Sequence, residues 1–179
     1  TCNPGPKAYV YKIKVSGIGI GWMHQDYFSY SGIGVGSDGV KLAQRTLNNT
    51  FDAGIEVDGI WGPASKLAYT RALQKSLNNV YATSLIVDGI WGNNTANAIS
   101  LHNQKRGDNN LVVAVLQIGL YANNISLNGG IDHIFGESTE NGLKTYQSRN
   151  KLSVDGIAGK ATFEALTGGT SSPSNSSSW

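Results

Sequence analysis

The chain has little of what usually announces a chemistry. It holds one cysteine and three histidines in 179 residues. Cys2 is without an internal partner, so no disulfide framework or thiolate metal site can be built from it. Charged residues are only 15% and the net charge is +2, with no Lys/Arg cluster. That balance excludes an electrostatic nucleic-acid binder. No apolar run approaches the roughly 20 residues that span a bilayer. Zinc hydrolysis needs about three protein ligands and an open position, and no HExxH or comparable paired spacing is present. No local signature supports a Ser–His–Asp or Cys–His set. Paired carboxylates for glycoside cleavage are also disfavoured, because Asp58, Asp88, Asp132 and Asp155 are committed to turns. No metal or cofactor is implied. No signal peptide is legible at Thr1, which reads as a mature chain or a fragment of a longer protein.

What is present is repetition. Residues 57–62 read VDGIWG, and residues 87–92 read VDGIWG again. Relaxing the pattern adds IDHIFGEST (131–139) and VDGIAGKAT (154–162). The shared form is [VI]-D-[GH]-I-x-G-x-x-[ST], and such repetition is settled before anything else. Each position has a mechanical reading. The leading Val or Ile closes an extended segment and points inward. The Asp accepts from a backbone N–H two residues on. The following Gly takes a positive φ freely, and His133 is of a type that tolerates it. The next Ile and the aromatic are expected to return the chain to the core. The second Gly opens a helix, with Pro63 suited to its first position. Ser65, Thr95, Thr139 and Thr162 are expected to satisfy free N–H groups in that first turn.

Helical periodicity flanks the turns, as in VKLAQRTLN (40–48) and LVVAVLQIGLY (111–121). Corresponding residues recur at about seventy: Gln44 matches Gln117, Asp58 matches Asp132 and Asp88 matches Asp155. Each long unit then reads helix, turn, helix, turn, helix. The expected organisation is residues 1–37 as a β/Gly-rich segment, 38–105 and 108–168 as two units joined by KRGD, and 169–179 as a disordered tail. The first segment alternates over Tyr9, Tyr11, Ile13 and Val15, then carries GIGIG and GIGVG around WMHQDYFSY. It reads as a small glycine-rich hairpin or sheet, the end of a preceding domain or a cap.

This arrangement resembles the peptidoglycan-binding domain 1 family, the small three-helix modules attached to bacterial and phage cell-wall hydrolases. Unit two carries the closer likeness: a leading helix with Leu-Gln, D-x-x-FG-x-x-T, the aromatic-Gln pair Tyr146-Gln147, and a closing DG-x-x-G-x-x-T-F. Unit one matches at VDGIWG twice, but has Ala72-Leu73 where Tyr146-Gln147 is expected. The resemblance implies a mainly α fold of two tandem three-helix units and a non-catalytic module that anchors a linked endolysin or autolysin. Bacterial peptidoglycan is the implied partner, at the extracellular cell wall. The charge balance and the short apolar runs leave no nucleic acid and no membrane among the expected partners.

Ligand contacts follow from the chemistry of that partner. Flat rings pack on sugar C–H faces, and an Arg fork holds stem carboxylates. The candidates are Tyr146, Gln147 and Arg149 in unit two, with Tyr69 and Arg71 as rough equivalents in unit one, and Trp61 and Trp91 in the turns. A competing role for Trp61, Trp91 and Phe135 is to plug the small core of each unit. Two other readings compete. One is a hydrolase with a site at His24 and Asp26. The other is an assembly module. His102 reads as a residue of an amphipathic helix, and His133 as turn chemistry.

Overall fold

The computed structural model describes residues 37–169, together with two short strands nearer the N-terminus. The chain divides into two compact units, Thr1–Gly34 and Val35–Trp179. In the first, strand β1 (Lys12–Ile13) pairs antiparallel with β2 (Gly21–Trp22), placing Lys12 opposite Trp22 and Ile13 opposite Gly21. Cys2, His24, Asp26, GIGVG and most of GIGIG lie outside the described residues, as does the tail from residue 170.

Among its described residues the second unit contains six helices: α1 (Asp38–Phe51), α2 (Pro63–Tyr81), α3 (Asn93–Leu101), α4 (Leu111–Ala122), α5 (Glu137–Arg149) and α6 (Lys160–Thr167). Their starts follow the repeated motif. Its second glycine is the N-cap of α2, α3, α5 and α6, at Gly62, Gly92, Gly136 and Gly159. None of these four ends has a side-chain cap, and Pro63 occupies the first turn of α2. Helix α4 starts differently, with the Asn110 side chain accepting from the N–H groups of Val112 and Val113.

Helix α4 determines how the repeats combine. Every residue from Val112 to Ala122 is buried. A helix apolar on all sides belongs in the middle of a core. It packs against α1 and α2 of the first repeat as well as α5 of the second. Helix α6 likewise packs against α3 and α2. One cluster therefore joins Leu47, Leu73 and Leu77 to Leu116, Leu143 and Phe163. Three helices fall within 38–105 and three within 108–168, and all six share this core. Domain size supplies the reason, since about sixty residues bury too little surface for ample stability. Each fully buried Leu or Ile of α4 contributes about 1.5–3 kcal/mol, and much of that burial comes from the other repeat.

The junction is also tied down. Gln104 and Ala158 exchange backbone bonds at 3.0 and 2.8 Å. Phe135 donates its N–H to Asp108 O at 2.8 Å, and Gly107 donates to Phe135 O at 3.0 Å. The KRGD segment is thus pinned to the turns of the second repeat.

Candidate functional site

Each of the four turns is organised by a buried glutamine from the preceding helix. Gln44 Nε2 donates to Asp58 Oδ1 at 2.8 Å, to Ile60 O at 3.0 Å and to Ser65 Oγ at 3.1 Å. Its Oε1 accepts from the Gly59 N–H at 2.8 Å. Gln74 repeats the set with Asp88, Ile90, Thr95 and Gly89. Gln117 does so with Asp132, Ile134, Thr139 and His133. Gln147 completes the series with Asp155, Ile157, Thr162 and Gly156. All four glutamines are at most 2% exposed, so the network satisfies amides that would otherwise be costly to bury.

The Asp reading holds in every copy: its Oδ1 accepts the N–H two residues on, at 2.8–3.0 Å. Gly59, Gly89, His133 and Gly156 all have φ between 68 and 81°. Two other readings require correction. The Ser and Thr hydroxyls do not cap the helices; they hold the glutamine amide. The Ile after the turn does not return to the core. Ile60, Ile90, Ile134 and Ile157 are 60, 64, 49 and 38% exposed. Their backbone N–H and C=O are held by the Asp and Gln, which fixes those groups inward and leaves the side chain outside.

The same bonds set the charge of the turns. The Gln44 and Gln74 amides, then the N–H groups of Ile60 and Ile90, hold the carboxyls of Asp58 and Asp88 below their ordinary value. At Asp132 partial burial pushes upward, and the bonds from Gln117 and Ile134 outweigh it.

The glutamines also correct the register between repeats. Leu73-Gln74, not Ala72-Leu73, stands where Tyr146-Gln147 stands in the second repeat. A signal was available: Gln precedes the motif Asp by 14, 14, 15 and 8 residues in the four copies. Tyr69 and Arg71 lie five and three residues before Gln74, whereas Tyr146 lies one before Gln147 and Arg149 two after it, so the two are not counterparts of Tyr146 and Arg149.

Three anticipated ligand residues are interior. Tyr69 is 0% exposed, and Tyr146 and Gln147 are 2% exposed. Desolvation pushes the Tyr146 phenol up to about 12. Burial, with the neighbouring Tyr146, also holds the Tyr69 phenol well above its ordinary value. These three side chains build the core and turn, and offer no surface to a polymer. Arg71 and Arg149 are exposed, and Trp61 and Trp91 are half-buried. Trp61 meets Tyr69 edge-on, with centroids 5.8 Å apart and planes at 70°. Trp91 lies against Gly169. Only Phe135, 1% exposed, is a complete plug.

Two open grooves lie wholly on the first repeat. A groove of about 190 Å³ runs between the 51–55 loop and the face of α2 that carries Leu67, Ala68 and Arg71. One wall includes Lys75, whose Nζ donates to Phe51 O at 2.8 Å. Thirty residues on, the same place forms a groove of about 560 Å³ between the 81–86 loop and α3. A third hollow, about 400 Å³, is lined by Lys66, Thr70, Ile90 and Trp91 and, from the end of the second stretch, by Thr167, Gly168 and Gly169. Counted from the motif Asp, the third-copy residue in the place of Ala68 and Ala98 is Gly142, and the Leu127 and Ile125 side chains lie over it. His102 stacks on Tyr81 with centroids 4.0 Å apart, and His133 sits in its turn. Among the described residues no cluster of three His, Cys, Asp or Glu could hold a metal, and no helix is long and apolar enough to cross a membrane.

Residues 110–166 match the family model described as "Putative peptidoglycan binding domain". The match takes in α4, α5, nearly all of α6 and the cassettes of Gln117 and Gln147. No curated protein and no solved structure matches the chain. The first repeat lies outside the peptidoglycan binding domain match, yet it builds its turns with the same Gln–Asp–Ser/Thr set.

Proposed function

We propose that this protein is a non-catalytic wall-binding body that anchors a linked hydrolase, of endolysin or autolysin type, to bacterial peptidoglycan. The observation that carries this reading is the domain match at residues 110–166. The grooves of the first repeat supply the contact surface in this reading. Arg71, exposed beside the smaller groove, suits the carboxylates of stem peptides. Trp91, with Lys66, offers a partly open ring beside a cation. Arg149 and Trp61 are further contacts of the same kind. With hollows at successive turns, several weak contacts on one polymer add up without any single deep pocket.

The test is co-sedimentation of the full chain with purified sacculi, before and after teichoic acid is stripped. Saturable binding to stripped sacculi is expected. A chain that stays in the supernatant with stripped sacculi overturns the reading.

A further inference from the structure

The two grooves thirty residues apart share one frame and differ in chemistry. Asn48 and Asn78 each clamp the loop, exchanging bonds with the backbone of Ile55 and Leu85. On that common frame Glu56 is replaced by Ile86, Ala64 by Asn94, Leu67 by Asn97 and Arg71 by Leu101. The first groove is therefore lined by Asp52, Arg71 and Lys75. The second is lined by no Asp, Glu, Lys or Arg, with His102 stacked on Tyr81 at one end, and is about three times larger, at about 560 against 190 Å³.

Its lining is specific. Asn94 and Asn97, one helical turn apart on α3, are exposed, and among the described residues neither side-chain amide has a partner. Ile86 and Leu101, 79 and 80% exposed, are the two most exposed large apolar side chains described, and both stand on its rim. Ala98 is the floor. At the mouth Ser84 has φ 56°, where the first copy has Gly54 at 62°. A non-glycine in that region carries strain, and here it places a hydroxyl at the mouth. A smaller hollow sharing Leu85, Ile86 and Asn94 continues past Asn93, with Asp88 on its far wall, so the surface follows α3 for about 12 Å at 1.5 Å per residue.

We infer that the groove between residues 81–86 and α3 binds an uncharged, N-acetylated hexosamine glycan strand. The Asn amides pair with the acetamido N–H and C=O. Ile86 and Leu101 take its methyl and the sugar C–H surface, and the absence of charge disfavours the carboxylate-bearing stem. The volume lies in the range of small-ligand sites, about 300–1,000 Å³. The inference rests on the wall-binding reading and assigns the glycan to this groove, leaving stem carboxylates to Arg71.

The experiment is an NMR titration of the full chain with the N-acetylglucosamine tetramer, its de-N-acetylated counterpart and tetra-alanine. Saturable shifts at residues 83–86 and 94–101 are expected with the acetylated tetramer alone. Asn94→Ala/Asn97→Ala should weaken them by about tenfold, the loss of two hydrogen bonds. Ile86→Asp, at an exposed position, should weaken them without lowering the melting temperature. No shifts, equal shifts with the de-N-acetylated tetramer, shifts with tetra-alanine alone, or unaltered binding by both variants would each overturn the inference. Co-sedimentation with stripped sacculi is run beside it. Retained sedimentation without tetramer binding overturns only the assignment of this groove. Lost sedimentation overturns the wall-binding reading itself.

Discussion

At Ala98 and at Gly142 the same point of the repeated turn meets two different surroundings. Ala98 is the floor of an open groove. Gly142 lies under Leu127 and Ile125, and a Cβ there would come within 2.6 Å of the Leu127 side chain. The loop before the third turn is built differently. Tyr121, in the position of Asn48 and Asn78, uses its hydroxyl both to accept the Leu127 N–H and to donate to the Leu127 carbonyl. The clamp is preserved with another side chain, and the loop folds inward. The repeat therefore fixes the turn, while the residues between Gln and Asp decide whether a hollow remains. Of the compared positions, the open ones lie in the first repeat and the filled one lies in the region matched to the peptidoglycan-binding family.

This contrast can be broken experimentally, most severely by separating the repeats. Residues 108–168 alone would expose the faces of α4 that α1 and α2 cover. We expect that fragment to lack near-UV circular dichroism and to aggregate; a sharp, cooperative melt would show that the second repeat has its own core. Next in size is Leu127→Ala, which should cost about 2–4 kcal/mol in chemical denaturation and open a hollow over Gly142. Gln117→Leu should cost about 2–3 kcal/mol, because the Thr139 hydroxyl and the His133 N–H lose their partner inside the fold. A change below about 0.5 kcal/mol would mean the turn holds without its glutamine. Gly54→Ser places the second copy's residue in the first. No neighbour lies within 4 Å of the new Cβ, so the cost is the backbone term alone, about 1 kcal/mol. The smallest effect is in acid. The carboxyls of Asp58 and Asp88 are held below their ordinary 3.8. Their contribution is therefore present above that value and is lost as pH falls through the lower folded value. Asp58→Asn/Asp88→Asn should flatten the fall in melting temperature below about pH 4.

Much of the frame was legible in the sequence. The Asp-closed turns, the positive φ of the following residue and the glycine helix starts are local devices, and a four-residue window contains each of them. The glutamine was harder to see because it acts from the previous helix. Its distance to the Asp changes from 15 in the third copy to 8 in the fourth. Tyr69 and Tyr146 were drawn to the surface by their chemistry, whereas both fill the core between the repeats. No pattern within one repeat announces that its aromatic residues are covered by the other. The exposed Ile of each turn misled for the opposite reason: its backbone, not its side chain, is the part that belongs inside. The groove beside α3 became visible only when two copies were laid on one another in the register that the glutamines provide.

The central claim is that the first repeat meets the wall through its open grooves. Hydrogen–deuterium exchange of the full chain, with and without soluble glycan–peptide fragments released from sacculi, tests it most directly. New protection is expected at residues 51–56, 64–75 and 81–102. Protection confined to residues 110–166, or none at saturating fragment, would contradict it.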